Sequence, residues 1–193
     1  YRYFIIGGIL GLFSIPIAWQ FLREYQKERV FTFFNPERDP LGNGYHILQS
    51  KIALGSGGFF GKGYLDGTQS HLNFLPEMHN DFIFTMFGEE FGFLGSLILI
   101  LLYCGITLRG LWISLGAPTH FARLLAGTLS LMTFTYACVN IGMVTGLLPV
   151  VGVPLPWVSY GGTALITLSV GTGLIMSVAR DRSVTTQGFS FQQ

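Results

Sequence analysis

Glu77, His79 and Asp81, three residues able to move a proton or hold charge, fall with Asn80 within five positions directly ahead of a long apolar run. An Asp placed where an apolar helix begins can serve two ends. It complements the positive end of the helix dipole, which needs no chemistry, or it acts as a general base, weak unless burial raises its pKa. Composition alone favours the first use. Asn80 is the expected N-cap, with Asp81 in the first helical turn. Further along, Glu89 and Glu90 lie inside the same apolar run, where acids are costly and usually face a cavity or a partner. On a helix Glu89 would stand about 12 Å from Asp81 along the axis, wider than the carboxylate pairs of glycoside hydrolysis. Both glutamates are therefore expected to line a cavity or to make interhelical hydrogen bonds rather than to transfer a proton.

Two glycine-rich stretches flank this region. Gly55-Ser-Gly-Gly-Phe-Phe-Gly-Lys-Gly invites a phosphate-loop reading, but it lacks the Gly-Lys-Ser/Thr ending and a preceding strand. Tight turns at a membrane surface are the plainer use of its glycines, although backbone N–H groups in such turns can also hold the diphosphate of a lipid. Leu147-Leu-Pro-Val-Val-Gly-Val-Pro-Leu-Pro-Trp-Val-Ser-Tyr-Gly-Gly sets three prolines and three glycines between two apolar runs. Non-helical backbone at membrane depth survives only when buried in protein or lining a cavity, so 148–161 is expected to re-enter the membrane and shape the same site. Asn140 is read as interhelical glue. The spacing of His46, His71 and His79 matches no zinc pattern.

The elements that must position these residues follow from composition. Half of the 193 residues are hydrophobic, 11% are charged, and mean hydropathy is +0.51. Soluble chains carry roughly a quarter charged residues, so the balance excludes disorder, a basic nucleic-acid-binding face and most cytosolic enzymes. A net charge of +1 steers no polyanion. Cys104 and Cys138 sit in apolar runs and read as small core residues. The expected fold is an all-α polytopic membrane protein with four transmembrane helices, at about 3–19, 82–107, 121–147 and 162–178.

Arg2, Arg109, Arg123, Arg180 and Arg182 flank the runs on one side, which assigns 108–120 and 179–193 to the cytoplasm. Residues 20–81 and 148–161 are then extracytoplasmic. The segment 20–81 is far longer than an ordinary connection, and loops of that length are functional or disordered. Its pattern favours order. Gln20 to Phe34 alternates apolar and charged residues as an interfacial amphipathic helix does, stopping at Asn35-Pro36. A second short helix is expected over 45–54, with Tyr45, Leu48 and Ile52 on one face. With no initiator Met and an immediate apolar run, the chain reads as beginning partway through a longer protein.

Three blocks together resemble the SEDS family of cell-wall polymerases. They are Gly67-Thr-Gln-Ser-His-Leu-Asn-Phe-Leu-Pro-Glu-Met-His-Asn-Asp-Phe-Ile-Phe with Gly88-Glu-Glu-Phe-Gly-Phe-Leu-Gly, Gly146 through Gly162, and Asn35 to His46 with Gln49 to Gly58. The combination is closer to the rod-shape branch (RodA) than to the division branch (FtsW), and covers essentially the whole chain. The resemblance implies a ten-span protein, of which this would be the C-terminal part, polymerising lipid II into glycan strands in the inner membrane. The growing chain would be an undecaprenyl-linked glycan, and the partner a class B penicillin-binding protein that supplies crosslinking. It also implies that Asp81, closing His-x-Asp-Phe-Ile-Phe, is the residue required for polymerisation. Position 80 is Asn where the family pattern has Thr, a change that keeps N-capping ability.

In that implied chemistry Asp81 deprotonates an acceptor sugar hydroxyl, whose oxygen attacks an anomeric carbon with inversion while a lipid diphosphate leaves. Lys51, Lys62 and Arg38 are the local cations for the diphosphate, alone or with a divalent ion, Mg2+ or Mn2+. Lys51, Lys62, Gln69, Ser70, Glu77, His79, Ser159 and Tyr160 are the expected substrate-binding residues, with Glu89 and Glu90 lining the cavity. A lipid flippase, or a scaffold for a penicillin-binding protein, would share the buried acids and broken helices.

Overall fold

The computed structural model describes residues 14, 19–35, 42–67 and 80–190. The expected first span, together with Arg38, Gln69, Ser70, Glu77 and His79, lies outside the described residues apart from Ser14 and Trp19. Among the described residues five helices have both ends defined, in chain order: α1 (Glu24–Phe34), α2 (Asn43–Ser56), α3 (Ile83–Leu115), α4 (His120–Thr145) and α5 (Gly162–Ser190). No strand occurs among the described residues. The last three helices are long and apolar enough to cross a membrane.

The stretch read as 82–107 continues as helix to Leu115, since no breaker intervenes before Gly116-Ala-Pro. The turn into α4 is tight, with the Thr119 hydroxyl accepting from the Ala122 N–H at 3.1 Å as N-cap. Small residues then let α3 and α4 run close together. Gly110 lies against Ser130, Gly127 lies against Ser114, and the Ser114 hydroxyl donates to the Arg123 carbonyl at 2.6 Å. The outward faces carry Leu97, Ile98, Leu101, Leu102, Ile106 and Leu108, all exposed, as lipid-facing positions should be.

Helix α2 lies against α3 and α4 through Ile47, Ser50 and Ala53, spaced one turn apart and buried. The Ser50 hydroxyl donates to the Val144 carbonyl at 2.9 Å. The face bearing Leu48 and Ile52 is exposed instead. Ser50 and Ala53 let the backbones approach closely on the inner face, and Ile47 fills the core beside them. Ile47, Phe82, Phe84, Tyr103, Ala137, Val144, Val150 and Leu155 form the main core, and they come from α2, α3, α4 and the 147–161 segment together.

Helix α3 is broken at Gly92, whose backbone (φ 67°, ψ −161°) is not helical. Only glycine adopts that conformation at low cost. The break frees two carbonyls before it and two N–H groups after it, and the Gly55–Gly63 run inserts there to bond all four. Lys62 N and Gly63 N donate to the Glu89 and Glu90 carbonyls at 3.0 and 3.1 Å. Phe93 N and Leu94 N donate to the Gly58 and Phe59 carbonyls at 2.9 and 3.1 Å. A Cβ on Gly92 would overlap Gly61 N, and one on Gly61 would overlap the Glu90 carbonyl. The glycines of this run therefore allow backbone to meet backbone.

Candidate functional site

Asp81 lies in a turn at 80–82, ahead of α3, whose N-cap is Phe82 with no side-chain capping bond. Asn80 is thus not the N-cap that its type suggested. The reason is tertiary: the carbonyls of Asn80 and Asp81 are both bonded by side chains from elsewhere in the chain. The Ser159 hydroxyl donates to the Asn80 carbonyl at 2.5 Å. The Asn140 amide donates to the Asp81 carbonyl at 2.9 Å and to the Val153 carbonyl at 2.7 Å.

The segment 147–161, irregular throughout, is what Asp81 faces. A Cβ built on Gly152 (φ +73°) would stand 3.1 Å from Asp81 Oδ2, so this carboxylate oxygen rests directly over the Gly152 backbone. Three side chains outside the segment hold it in place besides Asn140, and a further bond lies within it. Arg29 Nη1 donates to the Val150 carbonyl at 3.0 Å, and Val151 N donates to Met143 Sδ at 3.1 Å. Tyr103 Oη donates to the Pro156 carbonyl at 2.6 Å, and Leu155 N donates to Ser159 Oγ at 2.7 Å. Trp157 takes a positive φ of 57° within the turn, which costs strain for so bulky a residue. Backbone carbonyls of a proline-rich segment are thereby satisfied without helix or sheet, as burial requires.

The remaining expected residues divide. Lys51 lies over the C-terminus of α4, where a Cβ on the capping Gly146 would overlap Lys51 Cε. There its charge also meets the negative end of the helix dipole. Lys62 pairs with Glu89 at 2.7 Å, the carboxylate being buried. Glu89 is thus held in an ion pair beneath the inserted loop, and Ser56 Oγ lies 3.5 Å from the same oxygen. A cavity of about 420 Å³ between α2, α3 and α4 has Gly88 and Gly92 on its wall but neither Glu89 nor Glu90, which places both acids away from that cavity's lining. Glu90 is buried.

Ser159 is buried with its hydroxyl spent on Asn80 and Leu155, so it holds the loop where a ligand contact was expected. Tyr160 is 86% exposed. Among the described residues no group of three or more His, Cys, Asp and Glu converges on a metal position.

Sequence reasoning missed Arg29, Tyr103 and Gly152, and read Asn140 only as glue between helices. A lone Asn inside an apolar span was the available signal, because such a side chain must find a partner. Which partner it finds depends on tertiary contacts.

These features define a class: an all-helical, multi-pass membrane protein with a carboxylate set against an irregular Pro/Gly segment at the mouth of its spans. Residues 1–184 match the FtsW, RodA and SpoVE family, described as cell cycle protein, and the chain belongs to that family. It is 57% identical over 180 residues to the peptidoglycan glycosyltransferase MrdB of Escherichia coli (strain K12), covering 93% of this chain and 49% of that protein. It is 44% identical over 182 residues to the peptidoglycan glycosyltransferase RodA of Treponema pallidum (strain Nichols), covering 91% of this chain and 42% of that one.

Among solved structures it resembles one described as "Structural coordination of polymerization and crosslinking by a peptidoglycan synthase complex". The TM-score is 0.75 at 32% identity, over 94% of this chain and 50% of that chain. A mutant of the rod shape determining protein RodA of Thermus thermophilus matches at TM-score 0.53 and 35% identity, over 63% of this chain and 38% of that chain. The chain thus spans about half the length of the curated relatives it matches. Its apolar helices and these relatives make it a multi-pass protein of the inner membrane.

Proposed function

We propose that this chain carries the catalytic end of a peptidoglycan glycosyltransferase that polymerises lipid II during cell elongation, with Asp81 as general base. The observation that carries the reading is the seat of the Asp81 carboxylate, held over Gly152 by a segment that is itself bonded at five places. A base must be held to within a fraction of an ångström of productive geometry, because misplacement is paid for in rate. Here Asp81 takes the proton of the acceptor's sugar hydroxyl. The oxygen attacks the anomeric carbon of the growing undecaprenyl-linked glycan, the bond to the lipid diphosphate breaks, and the configuration inverts.

Lys51, exposed at the end of α4, supplies a positive charge for the departing diphosphate. Gln69, Ser70, Glu77 and His79 bind the sugars and diphosphate in this reading, and Tyr160 offers an exposed ring to the same ligands. A divalent ion, Mg2+ or Mn2+, would supply further charge to the diphosphate. The 147–161 segment re-enters the membrane from the outer face, on which the reaction takes place. At 1.5 Å per residue the limb of α3 beyond Gly92 is about 34 Å long, enough to cross the hydrocarbon, which leaves Asp81 and the first limb at the membrane edge. The partner is a class B penicillin-binding protein, as the resemblance to a polymerising and crosslinking complex supports.

The test is polymerisation of purified lipid II by the full-length protein bearing Asp81→Ala or Asp81→Asn, with and without chelator. Glycan strands should vanish while expression and partner binding persist. Normal strands would refute the reading, and lipid translocation with no strand synthesis in the unaltered protein would favour a flippase. Loss of activity on chelation would assign the divalent ion.

A further inference from the structure

We propose that Asn140 and Ser159 are positioning residues that set the place of the Asp81 carboxylate, an inference that rests on the reading of Asp81 as the base. Asn140 is fully buried, and its two amide hydrogens go to carbonyls 59 and 13 residues away in sequence, those of Asp81 and Val153. One side chain thus ties the turn that bears the carboxylate to the segment on which the carboxylate rests. Ser159 makes the neighbouring tie. Its hydroxyl accepts from Leu155 N–H within the segment and donates to the Asn80 carbonyl. The two consecutive carbonyls, of Asn80 and Asp81, are therefore fixed by two side chains from two different elements. With both peptide planes held, the direction in which the Asp81 side chain leaves the backbone is held as well.

Both amide hydrogens of Asn140 are spent on these two carbonyls. The isosteric carboxylate at this position could not do the same, since an ionised carboxylate accepts only. Gly152 completes the arrangement, because any side chain there would meet Asp81 Oδ2.

The experiment uses the full-length protein in detergent or liposomes, with lipid II as substrate and rates expressed per folded molecule by size-exclusion. Four variants are compared: Asn140→Leu, Asn140→Asp, Ser159→Ala and Ser159→Thr. Loss of either tie should lower kcat about 10- to 100-fold with KM for lipid II unchanged. Ser159→Thr, which keeps the hydroxyl, should restore most of the rate lost in Ser159→Ala. Unchanged kcat per folded molecule in Ser159→Ala, or a loss confined to KM, would overturn the proposal. Should Asn140→Leu not fold, the Ser159 pair decides by itself. Asp81→Asn measured alongside separates the two readings. If it is inactive while the tie variants run normally, the positioning proposal fails and the base stands. If it is active, the base reading has failed on its own account.

Discussion

Replacing Gly92 by Ala should be among the most damaging single-methyl changes in the described part of the protein. The conformation at Gly92 (φ 67°, ψ −161°) is nearly closed to residues with a Cβ, and occupying it costs about 1–3 kcal/mol. The added carbon would also overlap Gly61 N and stand 2.8 Å from the Phe59 carbonyl oxygen. Neither is the movable end of a side chain, so the inserted loop must withdraw. Withdrawal releases some or all of four backbone hydrogen bonds, each worth about 0.5–1.5 kcal/mol net. With all four bonds lost, strain and lost bonds together come to about 3–9 kcal/mol, a large share of a total of about 5–15. The melting temperature should fall by more than about 5 °C.

Gly105→Ala is the control, because a Cβ there meets nothing within 4 Å and the residue is helical. Replacing a helical glycine should raise stability by up to about 1 kcal/mol. Both variants are made in the full-length protein and melted in one detergent, following intrinsic fluorescence. A Gly92→Ala protein melting within a degree or two of the parent would show that the break and the inserted loop are not a structural unit.

Two further outcomes follow from the same contacts. Lys62→Met should destabilise the fold by about 3–5 kcal/mol by stranding the buried Glu89 carboxylate, and adding Glu89→Gln should recover much of that loss. A double-mutant cycle on melting temperature measures the coupling, and additive losses would deny it. Gly152→Ala should reduce polymerisation about 10-fold or more, since the methyl presses on Asp81 Oδ2 and the positive φ is strained, while thermal stability falls by only about 1 kcal/mol. Equal rates per folded molecule would contradict that.

Much of the architecture was legible because a bilayer imposes so strong a rule on composition. Long uncharged runs mark helices, although the expected end at 107 fell short of the observed Leu115 and the expected end at 147 ran past Thr145. The prolines and glycines of 147–161 likewise announced irregular backbone. The rejection of a phosphate loop at 55–63 rested on local pattern, but the loop's use was beyond local pattern. Its glycines answer to the carbonyls of Glu89 and Glu90 and to the N–H groups of Phe93 and Leu94, more than 25 residues further on.

Asn80 misled for a related reason. Its residue type favours capping, yet its carbonyl is anchored by Ser159, and the helix starts later. Glu89 was correctly marked as costly, and only the fold supplies the Lys62 partner that makes its burial tolerable.

By itself the sequence determined the solvent, since half-apolar composition with little charge admits only a membrane, and it marked Asp81 as the acid at the mouth of a span. What the tertiary structure alone decided is where that acid is held: over Gly152, with its backbone tied by Asn140 and the neighbouring one by Ser159. The physical reason is that hydropathy is a property of each residue and can be summed along the chain. A hydrogen bond between an amide on α4 and two distant carbonyls exists only once three segments have packed together.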